Sequence, residues 1–156
     1  MDAFAAPRTY DRDALTKMAH EMHERNFNCV QAVSCAFATV LGVDKDLCFR
    51  LGEGLGGGLA THTETCGALL GGAMVLGLVR SNGYANPTSK EATYELSKKL
   101  VSRFRAIRNT TVCEEIRALD TTGTTPLPIC IDCIRQSVLL TADVLEELAE
   151  EMDSAK

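Results

Sequence analysis

Apolar residues return at helical spacing along almost the whole chain. Asp11 is placed to cap a first helix with Leu15, Met18 and Met22 on one face. Asn28 caps a second, in which Val30, Val33, Phe37 and Leu41 share a face and Gly42 marks the stop. Asp44 opens a short helix through Leu47 and Leu51. The glycine-rich stretch 52–58 leads to Thr65, the expected cap of a long apolar helix from Cys66 to Val79. Apolar residues surround that helix on nearly every side, which places it at the centre. Its internal glycines would destabilise it alone, so they predict close helix approach. After a Ser81-Asn82-Gly83 turn, Pro87-Thr88-Ser89 launches a helix through Tyr94, Leu96, Leu100, Val101 and Phe104. Arg103, Arg105 and Arg108 lie at its end, where the dipole favours cations. Thr111 and Glu114 predict a capping box for a short helix through Ile116 and Leu119. Residues 121–128 read as a loop. The last helix carries Ile131, Ile134, Val138, Leu145 and Leu148, then frays into an acidic tail. No strand-like alternation of useful length interrupts the pattern. The expectation is one all-α domain over residues 1–156, a bundle of about five to seven helices around the central glycine-containing helix.

Composition narrows the function. A chain of 156 residues with 46% hydrophobic and 24% charged residues can bury a core without staples, which excludes disordered and disulfide-packed classes. A formal charge of -5 argues against nucleic acid as a partner, because neutralising phosphates needs a basic surface. Residues 1–8 lack a basic start followed by an apolar stretch, and the run 68–79 falls short of the roughly 20 residues that span a bilayer. The chain therefore reads as cytoplasmic, without a membrane span, serving a redox partner protein of unspecified identity; the glycine-faced helix allows a homodimer. In a reducing compartment its seven cysteines are metal ligands or catalytic thiols rather than permanent disulfides.

Their positions sharpen this. Cys29, Cys66, Cys113 and Cys130 each fall in the first turn of a separate predicted helix. A helix start carries about half a positive charge and free N–H donors, which favour thiolate over thiol. Four such ends converging would hold a metal, an anionic cluster or a reactive thiolate. Any one cysteine is more commonly a small buried hydrophobe; four at helix starts are harder to explain that way. Cys35 lies about 240° round its helix from Cys29 and is assigned, with Cys48, to the core. Cys130-Ile131-Asp132-Cys133 is a Cys-x-x-Cys pair, suited to chelation or to dithiol chemistry.

Cys66-Gly67-Ala68-Leu69-Leu70-Gly71 reads Cys-Gly-Ala-x-x-Gly. With Asn28-Cys29 before it and cysteines at 113 and 130/133 after it, the chain resembles the redox-active protein family named for its C_GCAxxG_C_C signature. The resemblance covers most of the chain from Asn28 onward and implies four characteristic cysteines: Cys29, Cys66, Cys113 and Cys133 or Cys130. The downstream pattern Cys133, Val138, Ala142 is closer to the family's final segment, whereas the capping argument prefers Cys130. The module is also similar to that of split-Soret cytochromes, which implies an iron–sulfur centre; without Cys-x-x-Cys-His, covalent haem is not expected.

Three functions follow in order. The first is electron transfer by an iron–sulfur cluster on Cys29, Cys66, Cys113 and Cys133. The second is a metal-free thiol–disulfide oxidoreductase with Cys66, Cys130 and Cys133 as catalytic residues. Disulfide reductases of the alkylhydroperoxidase type also carry Cys-x-x-Cys on a helix, but with a histidine where Ser137 stands here. The third is a structural zinc module, disfavoured because such sites usually arrive as two close pairs. His62, four residues before Cys66, is a candidate hydrogen-bond donor or proton-transfer group, with Glu64 beside it. His20 and His23 share a helix face without further support. Residues 52–58 lack the Gly-Lys-Ser/Thr ending of a phosphate loop. Glu146, Glu147, Glu150 and Glu151 read as a solvated face.

Overall fold

The computed structural model describes residues 6–119 and 128–155. They form helices α1 (Arg12–Glu24), α2 (Cys29–Leu41), α3 (Lys45–Glu53), α5 (Gly67–Arg80), α6 (Lys90–Arg108), α7 (Cys113–Leu119) and α8 (Ile129–Ser154), plus one irregular turn, α4 (Gly56–Leu59). The expected all-α architecture is the observed one. Among the described residues the one β feature is a lone bridge between Thr65 and Val112, and no helix is long and apolar enough to cross a membrane.

Caps set the early boundaries as the sequence implies. The Asp11 side chain accepts from Ala14 N–H, Asn28 forms a capping box with Gln31, and Asp44 accepts from Asp46 and Leu47. Gly42 ends α2 in the left-handed conformation at φ 67°. Later boundaries differ. The cap of α5 is Cys66 itself rather than Thr65, and α6 begins at Lys90, beyond Pro87. The acidic tail does not fray; α8 continues through it to Ser154. Of the loop expected over 121–128, only Pro128 lies within the described residues.

The core forms where α5 lies between α2, α6 and α8, while α1 packs across α2 and α8. Phe37, Leu69, Leu76, Leu100, Phe104 and Leu145 fill it. Salt bridges clamp the outside: Arg12 of α1 reaches Asp143 and Glu146, and Arg103 and Lys99 of α6 reach Glu147 and Glu151. Thus Glu146, Glu147 and Glu151, read as a solvated face, anchor α8 to α1 and α6. His20 pairs with Glu24, and His23 Nδ1 lies 3.0 Å from the Phe27 carbonyl; each is tied to its own neighbourhood.

The approach of α5 to α2 depends on Gly71. A Cβ there would lie 2.8 Å from Val30 O and 2.9 Å from Val33 Cβ, both unable to retreat within a helix. Gly77, in the same helix, faces nothing within 4 Å. Gly71→Ala should therefore lower stability by about 1–3 kcal/mol through overpacking. Gly77→Ala should raise it by about 0.5–1 kcal/mol, because alanine is the better helix former. Thermal unfolding of the two variants checks the opposite signs.

Candidate functional site

Four helix starts meet at one place. Cys29 is the first residue of α2, Cys66 caps α5, Cys113 begins α7 and Cys130 is second in α8. These cysteines, with Cys133 and His62, line a single cavity of about 60 Å³ whose other walls include Ile116 and Ile129. That space takes a group of a few atoms, not a peptide. Cys35 and Cys48 lie elsewhere, buried in a small cluster of their own.

Backbone pairing sets the spacing of the sulfurs. Cys66 N–H donates to Thr111 O at 2.7 Å, Cys113 N–H to Glu64 O at 2.9 Å and Glu114 N–H to His62 O at 2.7 Å. This short ladder ties the start of α5 to the start of α7. It also replaces the expected Thr111–Glu114 box: Val112 N–H goes to Thr110 Oγ1 at 3.2 Å, and Thr110 contacts Glu115 instead. On the other side, a Cβ at Gly67 would stand 2.4 Å from Cys29 Sγ, and one at Gly58 would stand 2.7 Å from Cys113 Cβ. Glycine at both positions lets the thiols close in. Between them Leu59, Ala60 and His62 are held in the left-handed region at φ 54°, 64° and 64°. Each costs about 1 kcal/mol or more, a strain typical of functional loops. Here it swings the His62 ring to 3.7 Å from Cys113 Sγ.

The thiols are not electrostatically equivalent. A hydrogen bond from Cys133 lowers the Cys66 pKa to about 7 against the effect of burial; the first α5 amides, Ala68 and Leu69, and the Arg108 guanidinium assist. Cys133 moves the opposite way, held protonated by that same bond and by burial. Burial also raises Cys29, although Gly57 N–H opposes it. Cys113 is pushed up to about 11 by burial and by the neighbouring cysteines. Its position at a helix start does not acidify it, because the ladder has already engaged the first α7 amides.

Cys133 is buried and touches Cys66, whereas Cys130 is exposed at the cavity rim. A thiol–thiol hydrogen bond thus joins Cys66 and Cys133 across two different helices. Sequence reasoning missed a further component. Arg108, read as a helix-end cation, is 8% exposed and forms an ion pair with Asp132 inside the Cys-x-x-Cys segment. The local signal is the acidic Asp132 between two cysteines; nothing in the sequence points from it to Arg108. Among the described residues, no three His, Cys, Asp or Glu side chains are grouped to hold one metal ion.

Residues 27–144 match the family described as "Putative redox-active protein (C_GCAxxG_C_C)", and the chain belongs to that family. No curated protein and no solved structure matches the chain.

In reduced, metal-free protein, alkylation of Cys66 should rise with pH through about 7, since thiolate is the nucleophile. Cys133→Ala should move that midpoint up toward the ordinary thiol value of about 8.5; peptide mapping across a pH series measures both. Arg108→Gln should cost about 3 kcal/mol in urea unfolding, because it strands the largely buried Asp132 carboxylate.

Proposed function

We propose that the chain is an electron-transfer protein whose Cys29, Cys66, Cys113 and Cys133 hold an iron–sulfur cluster. The observation that carries this reading is the convergence of those thiols, from four separate helices, on one small apolar cavity. The donor set suits the group, since cluster irons are held by cysteine thiolates, four being the usual complement. Zinc asks all four ligands to meet at one atom and usually takes them as two close pairs, of which the chain has one, Cys130 and Cys133. A cluster distributes its ligands over separate irons and makes no such demand. When bound, it supplies one-electron chemistry at a potential tuned by burial and by hydrogen bonds to sulfur.

The protein's own contribution is electrostatic and steric. Gly57 N–H toward Cys29, and Ala68 and Leu69 N–H toward Cys66, favour anionic sulfur. Arg108, fixed by Asp132, adds a positive charge beside it. Ile116 and Ile129 help keep the cavity walls apolar. With Cys66 at 7% and Cys133 at 2% exposure, the arrangement suits passing electrons to a partner redox protein rather than taking in a peptide substrate.

A second reading has its own support, the direct Cys66–Cys133 contact. There the Cys66 thiolate attacks a partner disulfide and releases one thiolate. Cys133 then displaces the other sulfur, passing its proton to the departing group and leaving a Cys66–Cys133 disulfide.

Anaerobic purification with iron, zinc and sulfide analysis separates the two. Iron with acid-labile sulfide is expected in the unaltered chain and in Cys130→Ser, and is expected to be lost in Cys29→Ser, Cys66→Ser, Cys113→Ser and Cys133→Ser. Protein that stays colourless after anaerobic reconstitution and gains a Cys66–Cys133 disulfide on mild oxidation would establish the second reading instead.

A further inference from the structure

The structure contains another cysteine pair that the candidate site does not use. Cys35, on the face of α2 turned away from Cys29, meets Cys48 of α3. Ala38, Met22, Phe27, Val43 and Phe49 pack around them. Cys35 is 2% and Cys48 9% exposed, and Cys35 Sγ lies 4.0 Å from the Lys45 carbonyl at the start of α3. The two cysteines pack in one buried cluster with Ala38, and the hydrogen bond between their thiols lowers Cys48 to about 6 and raises Cys35.

Access is one-sided. Cys48 forms part of the wall of an apolar groove of about 330 Å³, with Val43, Leu47, Leu51, Met74 and Leu78. That volume lies at the small end of ordinary small-molecule sites. Asp44, the charged residue in its lining, already caps α3 through Asp46 and Leu47 N–H. Its carboxylate disfavours anionic visitors, and the apolar walls offer a charged one no compensation. Cys35 has no place in that lining.

We propose that Cys35 and Cys48 form a second thiol–disulfide site, separate from the four-helix cavity, that small uncharged disulfides oxidise through this groove. Cys48 attacks one sulfur of the small disulfide, forming a mixed disulfide and releasing one thiolate. Cys35 attacks the Cys48 sulfur, expels the second thiolate and gives up its proton to it. The protein loses two electrons in forming the Cys35–Cys48 bond, and the small disulfide gains them as one thiol and one thiolate. The product pins α3 to α2.

The test treats the reduced, full-length chain with hydroxyethyl disulfide, then digests it with trypsin without reduction. Residues 26–45 should appear joined to residues 46–50, with fragmentation placing the bond on Cys35 rather than Cys29. Cys35→Ser should stop at a hydroxyethyl adduct on Cys48. Cys66→Ser should keep the link, which separates this site from the candidate redox centre. Oxidised glutathione, being anionic, should give a slower reaction. The inference is overturned if Cys48 remains unmodified while the exposed Cys130 reacts, or if an adduct on Cys48 of the unaltered chain never passes to Cys35.

Discussion

The close approach of α5 to α2 is the constraint on which the remaining structure depends. Two glycines in the Cys-Gly-Ala-x-x-Gly hexapeptide permit it, and they act at different levels. Gly71 gives room to the Val30 backbone, while Gly67 gives room to the sulfur of Cys29. The same short motif therefore sets a helix–helix distance and brings the Cys29 sulfur up to the start of α5. Once α2 and α5 are locked, α6 and α8 pack on the other sides of α5, and the start of α8 brings Cys133 onto Cys66.

Gathering thiols in an apolar cavity opposes their ionisation, and the protein resolves this unequally. Cys66 receives the Cys133 hydrogen bond, two helix amides and the field of Arg108, so it alone among the buried thiols of the cavity moves toward the thiolate. Cys113 starts a helix too, yet its neighbouring amides are already bonded to Glu64 and His62 carbonyls. A helix start acidifies a thiol only where its N–H groups remain available. The buried Arg108–Asp132 pair costs desolvation, and its placement beside the cysteines gives it an electrostatic role there.

The two faces of α2 carry two separate sulfur sites. Cys29 at its first residue belongs to the cavity at the helix starts, and Cys35, less than two turns on, belongs to the groove side with Cys48. Apolar packing of α2 insulates one from the other, since residues 30–38 are buried throughout. One helix thus serves as the shared wall of both.

The sequence alone carried the fold class, the first three caps, the central position of the glycine-containing helix and the cysteines at helix starts. These are local properties: spacing, capping chemistry and turn residues act within a few positions of the chain. The tertiary structure decided what depends on distant partners. It set Cys133 against Cys66, moved Glu146 and Glu147 from solvent into salt bridges, set Arg108 against Asp132 and joined Cys35 to Cys48. Each depends on the rotation of one helix about its axis relative to another, which is fixed by packing across the core and leaves no mark in either helix's own periodicity.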